Sequence, residues 1–260
     1  DASAGQDQGD QDGRRQGGHL DQPETLPHLP VENAIVYYFA PPPSYGTEDL
    51  RMKAFTSKID KPPCPKTVVL ISTTGVYGDC KGEWVTEDRP AAPIADRAKR
   101  RLSAEKELAA WGKRTNVPVI ILRVPGIYGP GKLPVKRLEE GLPVLRPEES
   151  PFSNRIHAHD LARACFAAAR KGRSGAVYNI SDGHPTTMTD YFYKVADLLK
   201  IDRPPAISLE EAKKELSRGM LSYLAESKRL DNRRMRDELG VEPKYPDLDS
   251  GLPSCVGSFA

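Results

Sequence analysis

The chain has 260 residues, enough for one domain with a substantial core, and its 38 basic and 36 acidic side chains leave a formal charge of only +2, so no whole-molecule electrostatic footprint for nucleic acid is present. No stretch approaches the ~20 uninterrupted apolar residues of a membrane span, and the N-terminus lacks the order of a signal peptide, so a soluble chain without membrane contact is expected. Cys64, Cys80, Cys165 and Cys255 are scattered with no CxxC pair, which argues against a zinc site or disulfide framework and for a reducing cytoplasm.

Residues 1–30 carry six acids and two arginines among Gly, Gln and Asp, with almost nothing to bury, and are expected to be largely disordered. Order begins at Val31. The run Ala34 to Phe39, stopped by Pro41-Pro42-Pro43, reads as a strand buried on both faces. A helix of about Glu48 to Ile59 follows. Thr67 to Ile71 is a second strand, ending in Ser72-Thr73-Thr74-Gly75, and Val117 to Val124 a third, ending in Pro125-Gly126. Between them Leu102, Leu108 and Trp111 set an apolar stripe on a helix from Arg97 to Trp111, closed by Gly112. A helix over Asp160 to Arg170 precedes a fourth strand, Ala176 to Ile180. Short β-branched runs alternating with helices predict βαβ units and a parallel sheet.

After Ser181 the pattern becomes helical. Thr187 with Asp190 opens one helix, Ser208 with Glu211 opens another as a capping box, and a last helix of roughly Glu226 to Leu239 is closed by Gly240. The expected organisation is a first segment over 1–30, an α/β domain over 31–180 and a smaller C-terminal substrate lobe over 181–260.

In an open parallel sheet, ligands sit beyond the carboxyl ends of the strands. Three ends line that rim: Pro41 to Ser44, Ser72 to Gly78, and Arg123 to Gly131. Gly or Pro after a strand is usually only a turn. In order, however, "ISTTGVYG", "LRVPGIYGPG", "RIHAHDLARA", "VYNISDG" and "SKRLDNRRMRDELG" resemble the extended short-chain dehydrogenase/reductase superfamily, the NAD-dependent epimerase/dehydratase group. Within it the chain is similar to an atypical subgroup of nucleoside-diphosphate-sugar epimerase-like proteins. The resemblance implies a Rossmann-like α/β fold, NAD or NADP as cofactor, and a nucleotide sugar or similar small molecule as substrate.

Two departures from the family stand out. The Gly-x-Gly-x-x-Gly turn that offers bare backbone to a pyrophosphate is absent, and the Gly-rich stretch Gly5 to Gly18 follows no strand. Against the family, the chain lacks the first strand, first helix and second strand of the fold; either the protein begins upstream of Asp1 or the dinucleotide half-site is missing. The family's proton-transferring Tyr-x-x-x-Lys pair also falls on Arg97 and Arg101. Arginine is effectively never deprotonated, so Arg97 cannot shuttle a proton. Two readings follow: an oxidoreductase of the epimerase/dehydratase kind, or a non-catalytic NAD(P)-binding or regulatory protein that has lost the pair.

Residue by residue, the resemblance implies that Thr73 hydrogen-bonds a substrate oxygen and Arg101 the nicotinamide ribose. It puts Pro125, Gly126 and Ile127 at the nicotinamide, Ala40 and Pro41 towards the adenine, and Ser72 beside Thr73 in the cofactor site. Tyr77 and Tyr128 are the rim tyrosines open to a substitute acid role. The seven cations between Arg97 and Arg114 read first as a solvated helical face, then as phosphate contacts. His157 and His159, alternating on a strand, would share a face but lack a third ligand, so no metal is expected; in the family the acid of this stretch caps the helix and the His packs structurally. Lys228 and Arg229 read first as a surface pair and second as a reach to a substrate phosphate from the C-terminal lobe. A homodimer through the helices at about Glu48 to Ile59 and Arg97 to Trp111 is also expected from the family.

Overall fold

The computed structural model describes residues 20–22, 24 and 29–256, so the reading of 1–30 as disordered, and the stretch Gly5 to Gly18, lie almost wholly outside the described residues. In chain order the first half comprises β1 (Ile35–Tyr38), α1 (Leu50–Lys58), β2 (Thr67–Thr73), β3 (Trp84–Val85), α2 (Asp96–Thr115), β4 (Val119–Val124) and β5 (Gly126–Tyr128). Then come α3 (Val135–Glu139), β6 (Val144–Leu145), β7 (Phe152–Ser153), β8 (Arg155–His157), α4 (Ala158–Lys171) and β9 (Val177–Asn179). The last third holds β10 (Thr186–Thr187), α5 (Met188–Leu199), β11 (Ala206–Ile207), α6 (Leu209–Glu215), α7 (Arg218–Leu224), β12 (Arg229–Leu230), α8 (Arg233–Leu239) and α9 (Leu248–Gly251).

The apolar runs form one four-stranded parallel sheet in the order β1-β2-β4-β9, with Val68 opposite Val119 and Ile121 opposite Val177. Side chains alternate across it. Val68, Leu70 and Ile121 meet Met52, Phe55, Leu108 and Trp111 of α1 and α2 on one face. On the other, Val69, Ile120 and Leu122 meet Leu161, Ala164 and Cys165 of α4 with Met235 and Leu239 of α8. Burying each large side chain contributes about 1.5–3 kcal/mol, so both helix layers are held by the two faces of the same strands. This is an α/β fold of the Rossmann kind.

Several expectations are corrected. β1 is not buried on both faces: it lies at the edge of the sheet, with Ile35, Tyr37 and Phe39 exposed. Helix α2 does not stop at Gly112 but runs to Thr115, where Asn116 takes the left-handed conformation. Gly112 is there for packing, since a Cβ would fall 2.5 Å from Cγ2 of Val119. Leu102 faces away from the sheet, and its place on the buried stripe is taken by Glu105. The lobe is also not purely helical. β10, β11 and β12 pair with β7, β6 and β3, so the expected helix from Glu226 begins only at Arg233, after Leu230 has paired with Val85. The caps at Thr187 and Ser208 form as expected. Among the described residues no helix is long and apolar enough to cross a membrane.

Candidate active site

Beyond the carboxyl ends of β2 and β4 lies a cavity of about 520 Å³. Thr73, Gly75, Arg97 and Arg101 form one wall, Pro125 to Ile127 the floor, and Asn154, Arg155, Tyr191, Tyr223, Glu226 and Lys228 the side closed by the lobe. The β-branched run of β2 holds the chain extended until Thr73, whose hydroxyl then accepts the N–H of Gly75 at 3.3 Å and starts a tight turn. That turn delivers Thr73 to the cavity. The floor bends at Pro125, and Gly126 leaves room for the Arg155 guanidinium: a Cβ there would sit 2.6 Å from Nη1 and force that side chain to shift.

The basic start of α2 is not a solvated face. Arg100 is buried and donates to the carbonyl of Gly46 at 2.7 Å. Arg97 donates to Ser222 Oγ at 2.5 Å, with its guanidinium 3.8 Å from the centroid of the Tyr223 ring. Arg101 donates to the Ala40 carbonyl at 3.0 Å. Burial pushes the Arg101 pKa down, although the nearby Asp49 and Tyr38 favour the cation. Lys99 alone in this turn behaves as read, exposed and paired with Asp96.

Of the other candidates, Pro125, Gly126 and Ile127 line the cavity with Thr73 and Arg101, whereas Ala40 and Pro41 stand behind Arg101 and leave Pro42 at the wall. Ser72 points away from the cavity. Its hydroxyl is buried and donates to Glu105, which also receives Arg123 at 2.8 and 3.2 Å. Tyr77 and Tyr128 are withdrawn as acids: both are fully buried, bonded to Asn179 and to the Asp247 carbonyl, and burial raises both hydroxyls. The cavity's tyrosines are Tyr191 and Tyr223 of the lobe.

His157 and His159 do not share a strand face, because the strand ends at His157 and α4 begins at Ala158. His157 Nδ1 accepts the N–H of His159, and Nε2 meets Ser254 Oγ at 3.1 Å. Burial lowers the His157 pKa, favouring this neutral, packed role. Asp160 does not cap its helix. Its carboxylate accepts the N–H groups of Lys244 and Tyr245, each at 2.9 Å. Those bonds and Arg163 outweigh a desolvation that would raise its pKa, and hold it below the usual range.

Lys228 and Arg229 are not a surface pair. Lys228 is buried in the cavity wall, 2.7 Å from Glu226, and Arg229 reaches the Gly82 carbonyl between Trp84 and Phe152. Arg155 and Tyr191 were not legible as site residues. The one available signal was an arginine directly ahead of the apolar Ile156 in "RIHAHD", a costly placement for a charge. Near Arg155, the Asp182 carboxyl is pushed up to about 7 by burial, against the lowering effect of the His184 N–H it accepts and of the Arg155 charge.

Residues 59–181 match the model of the NAD dependent epimerase/dehydratase family. The chain is 24% identical over 225 residues to the dTDP-D-glucose 4,6-dehydratase of Mus musculus, covering 82% of this chain and 59% of that enzyme, so it spans less than two thirds of that relative. A functionally unknown conserved protein from Silicibacter pomeroyi is 32% identical, with a TM-score of 0.74 over 84% of this chain and 75% of that one. The dTDP-glucose 4,6-dehydratase of Bacillus anthracis, solved in complex with NAD, is 25% identical with a TM-score of 0.74, covering 92% of this chain and 77% of that one. With the sheet, the rim motifs and these likenesses together, residues 59–181 form a domain of the NAD dependent epimerase/dehydratase family.

Proposed function

We propose that the chain is an NAD(P)-binding, epimerase/dehydratase-like oxidoreductase acting on a nucleotide sugar or a similar small molecule. The observation that carries the reading is the cavity itself, where Thr73, Arg101 and the Pro125 to Ile127 turn face one space roofed by the lobe. These residues fit the nicotinamide end of a dinucleotide. The Thr73 hydroxyl can orient a substrate oxygen, Arg101 can donate to ribose hydroxyls from its anchor on Ala40, and the turn offers flat backbone to a ring. When bound, the dinucleotide would accept and return a hydride. Ala40 and Pro41 would then lie towards the adenine. The described end of β1 is a run of prolines lacking N–H groups, so no pyrophosphate contact is assigned there.

Proton transfer cannot come from Arg97, so in this reading it falls to Tyr191 or Tyr223, the tyrosines that share the cavity with Thr73. A second reading is favoured by one observation: Arg97 is tied to Ser222 and Tyr223 at the place of the family's tyrosine, as expected of a binding or regulatory protein without turnover. The test is titration with NAD and NADP in both redox states, followed by analysis for an epimerised or dehydrated sugar on adding dTDP-glucose and UDP-glucose, since the hydride is returned in each cycle. Saturable binding with a sugar product supports the enzyme, binding without one supports the second reading, and no binding refutes both. A cytoplasmic setting is supported by four unpaired cysteines. A homodimer through α1 and α2, which pack side by side, is part of the same proposal and is checked by light scattering at two salt concentrations.

A further inference from the structure

Arg155 is a buried cation whose donors are poorly used. Only 8% of it is exposed, and it lines the cavity. Its guanidinium lies 4.2 Å from the centroid of the Tyr191 ring on one side and against the bare backbone of Gly126 on the other. Among the described residues Nη1 donates to the Asn154 carbonyl at 3.0 Å, Nη2 finds only the Met188 thioether at 3.7 Å, and Nε has no partner. Nε and Nη2 make up one edge of the guanidinium, so a complete edge lacks an oxygen acceptor.

Among the described residues no carboxylate forms an ion pair with this charge. Asp182 is its acidic neighbour, and burial leaves that carboxyl only partly ionised at neutral pH. Glu226, the cavity's acid, is taken by Lys228. A desolvated guanidinium with an empty edge costs stability unless something fills it. Two N–H groups in one plane match two oxygens of a carboxylate or phosphate.

We infer that Arg155 is an oxyanion clamp, binding a carboxylate or phosphate group of the substrate through its Nε–Nη2 edge over Gly126, at the reacting end of the cavity. This rests on the proposed function for the word substrate and adds to it an anionic group at the reacting end of the molecule. Tyr191 and Gly126 would hold the guanidinium flat while the oxyanion docks.

The test follows arginine Nε–H resonances in ¹⁵N-labelled protein without dinucleotide, with Arg155→Lys assigning the signal. Titration with glucuronate or inorganic phosphate should move the Arg155 signal saturably, and neutral glucose should not. Glucuronate alone would name a carboxylate, phosphate alone a phosphoryl group. Arg155→Lys, which keeps charge but loses the fork, should weaken the effective anion at least tenfold. If that variant does not fold, thermal melts of the wild type with each anion and with glucose replace the affinity comparison. A signal unmoved by either anion, equal movement with glucose, or unchanged affinity in the variant overturns the clamp. Because no nicotinamide is present, a chain without turnover can still pass. Conversely, hydride transfer on a neutral sugar at a rate untouched by Arg155→Lys overturns the clamp while the oxidoreductase reading stands.

Discussion

Replacing Glu105 by leucine should remove the charge that ties the rim of the sheet together. Glu105 stands on the buried stripe of α2, with 5% of its side chain exposed, facing Arg123 with 8% exposed. It accepts two bonds from Arg123, at 2.8 and 3.2 Å, and one from Ser72. In Glu105→Leu the Arg123 cation is left beneath α2 over the Tyr77 ring, and the Ser72 hydroxyl loses its acceptor. Stranding one partner of a buried pair costs about 3–5 kcal/mol, and the hydroxyl adds about 1 kcal/mol. A loss of roughly 4 kcal/mol is a large part of a typical ~5–15 kcal/mol total and lowers Tm by roughly 10 °C for a chain of this size. Urea unfolding of Glu105→Leu, Arg123→Leu and the double variant measures it. The double variant should recover most of the loss, since two apolar side chains then face each other. A single-variant loss under about 1 kcal/mol, or a double variant no better than the sum of the singles, would refute the reasoning.

Thr73→Val keeps the side-chain shape and removes the hydroxyl; turnover should fall roughly tenfold or more, by about 1–3 kcal/mol of lost hydrogen bonding, and an unchanged rate would exclude Thr73 from the chemistry. Gly126→Ala should drive the new methyl into Arg155 Nη1 and weaken anion binding with little loss of fold, read as a smaller ligand-induced rise in Tm. Asp182 ionises near 7 when folded against an ordinary 3.8, so the folded state holds its proton more tightly. Stability should therefore fall as pH rises from about 4 through 7 and level off above, by up to roughly 4 kcal/mol from this group; Asp182→Asn should flatten that slope in melts between pH 5 and 8.

The strands of the sheet were readable because β-branched apolar runs such as Thr67 to Ile71 encode a buried strand locally. The caps at Thr187 and Ser208 were readable because one side chain satisfies one nearby N–H. What local spacing does not carry is which distant elements approach. Gly112 looks like a helix stop in sequence, and only the passage of Val119 shows it to be a packing position. Arg155 and Lys228 are 73 positions apart and share a wall because Asn154 donates to the Lys228 carbonyl and accepts from Leu230 N. The arginines of α2 read as solvated because a run of charge reveals nothing of the lobe that closes over Arg97.

The chain's last helices also bear on how the molecule could be dissected. Met235, Leu239 and Val241 lie in the same core as Val69, Ile120 and Leu122, and the buried Asp160 receives its two backbone donors from Lys244 and Tyr245. A fragment ending near Ser181 would keep all four parallel strands and α4 but uncover the part of one sheet face that α8 shields, and it would leave the buried Asp160 carboxylate without its two backbone donors. The pattern change at Ser181 is thus no seam for cutting. The polypeptide leaves the sheet to build the cavity's roof and then returns to cover part of the sheet's second face, so neither the sheet's packing nor the cavity is complete without the residues after Ser181.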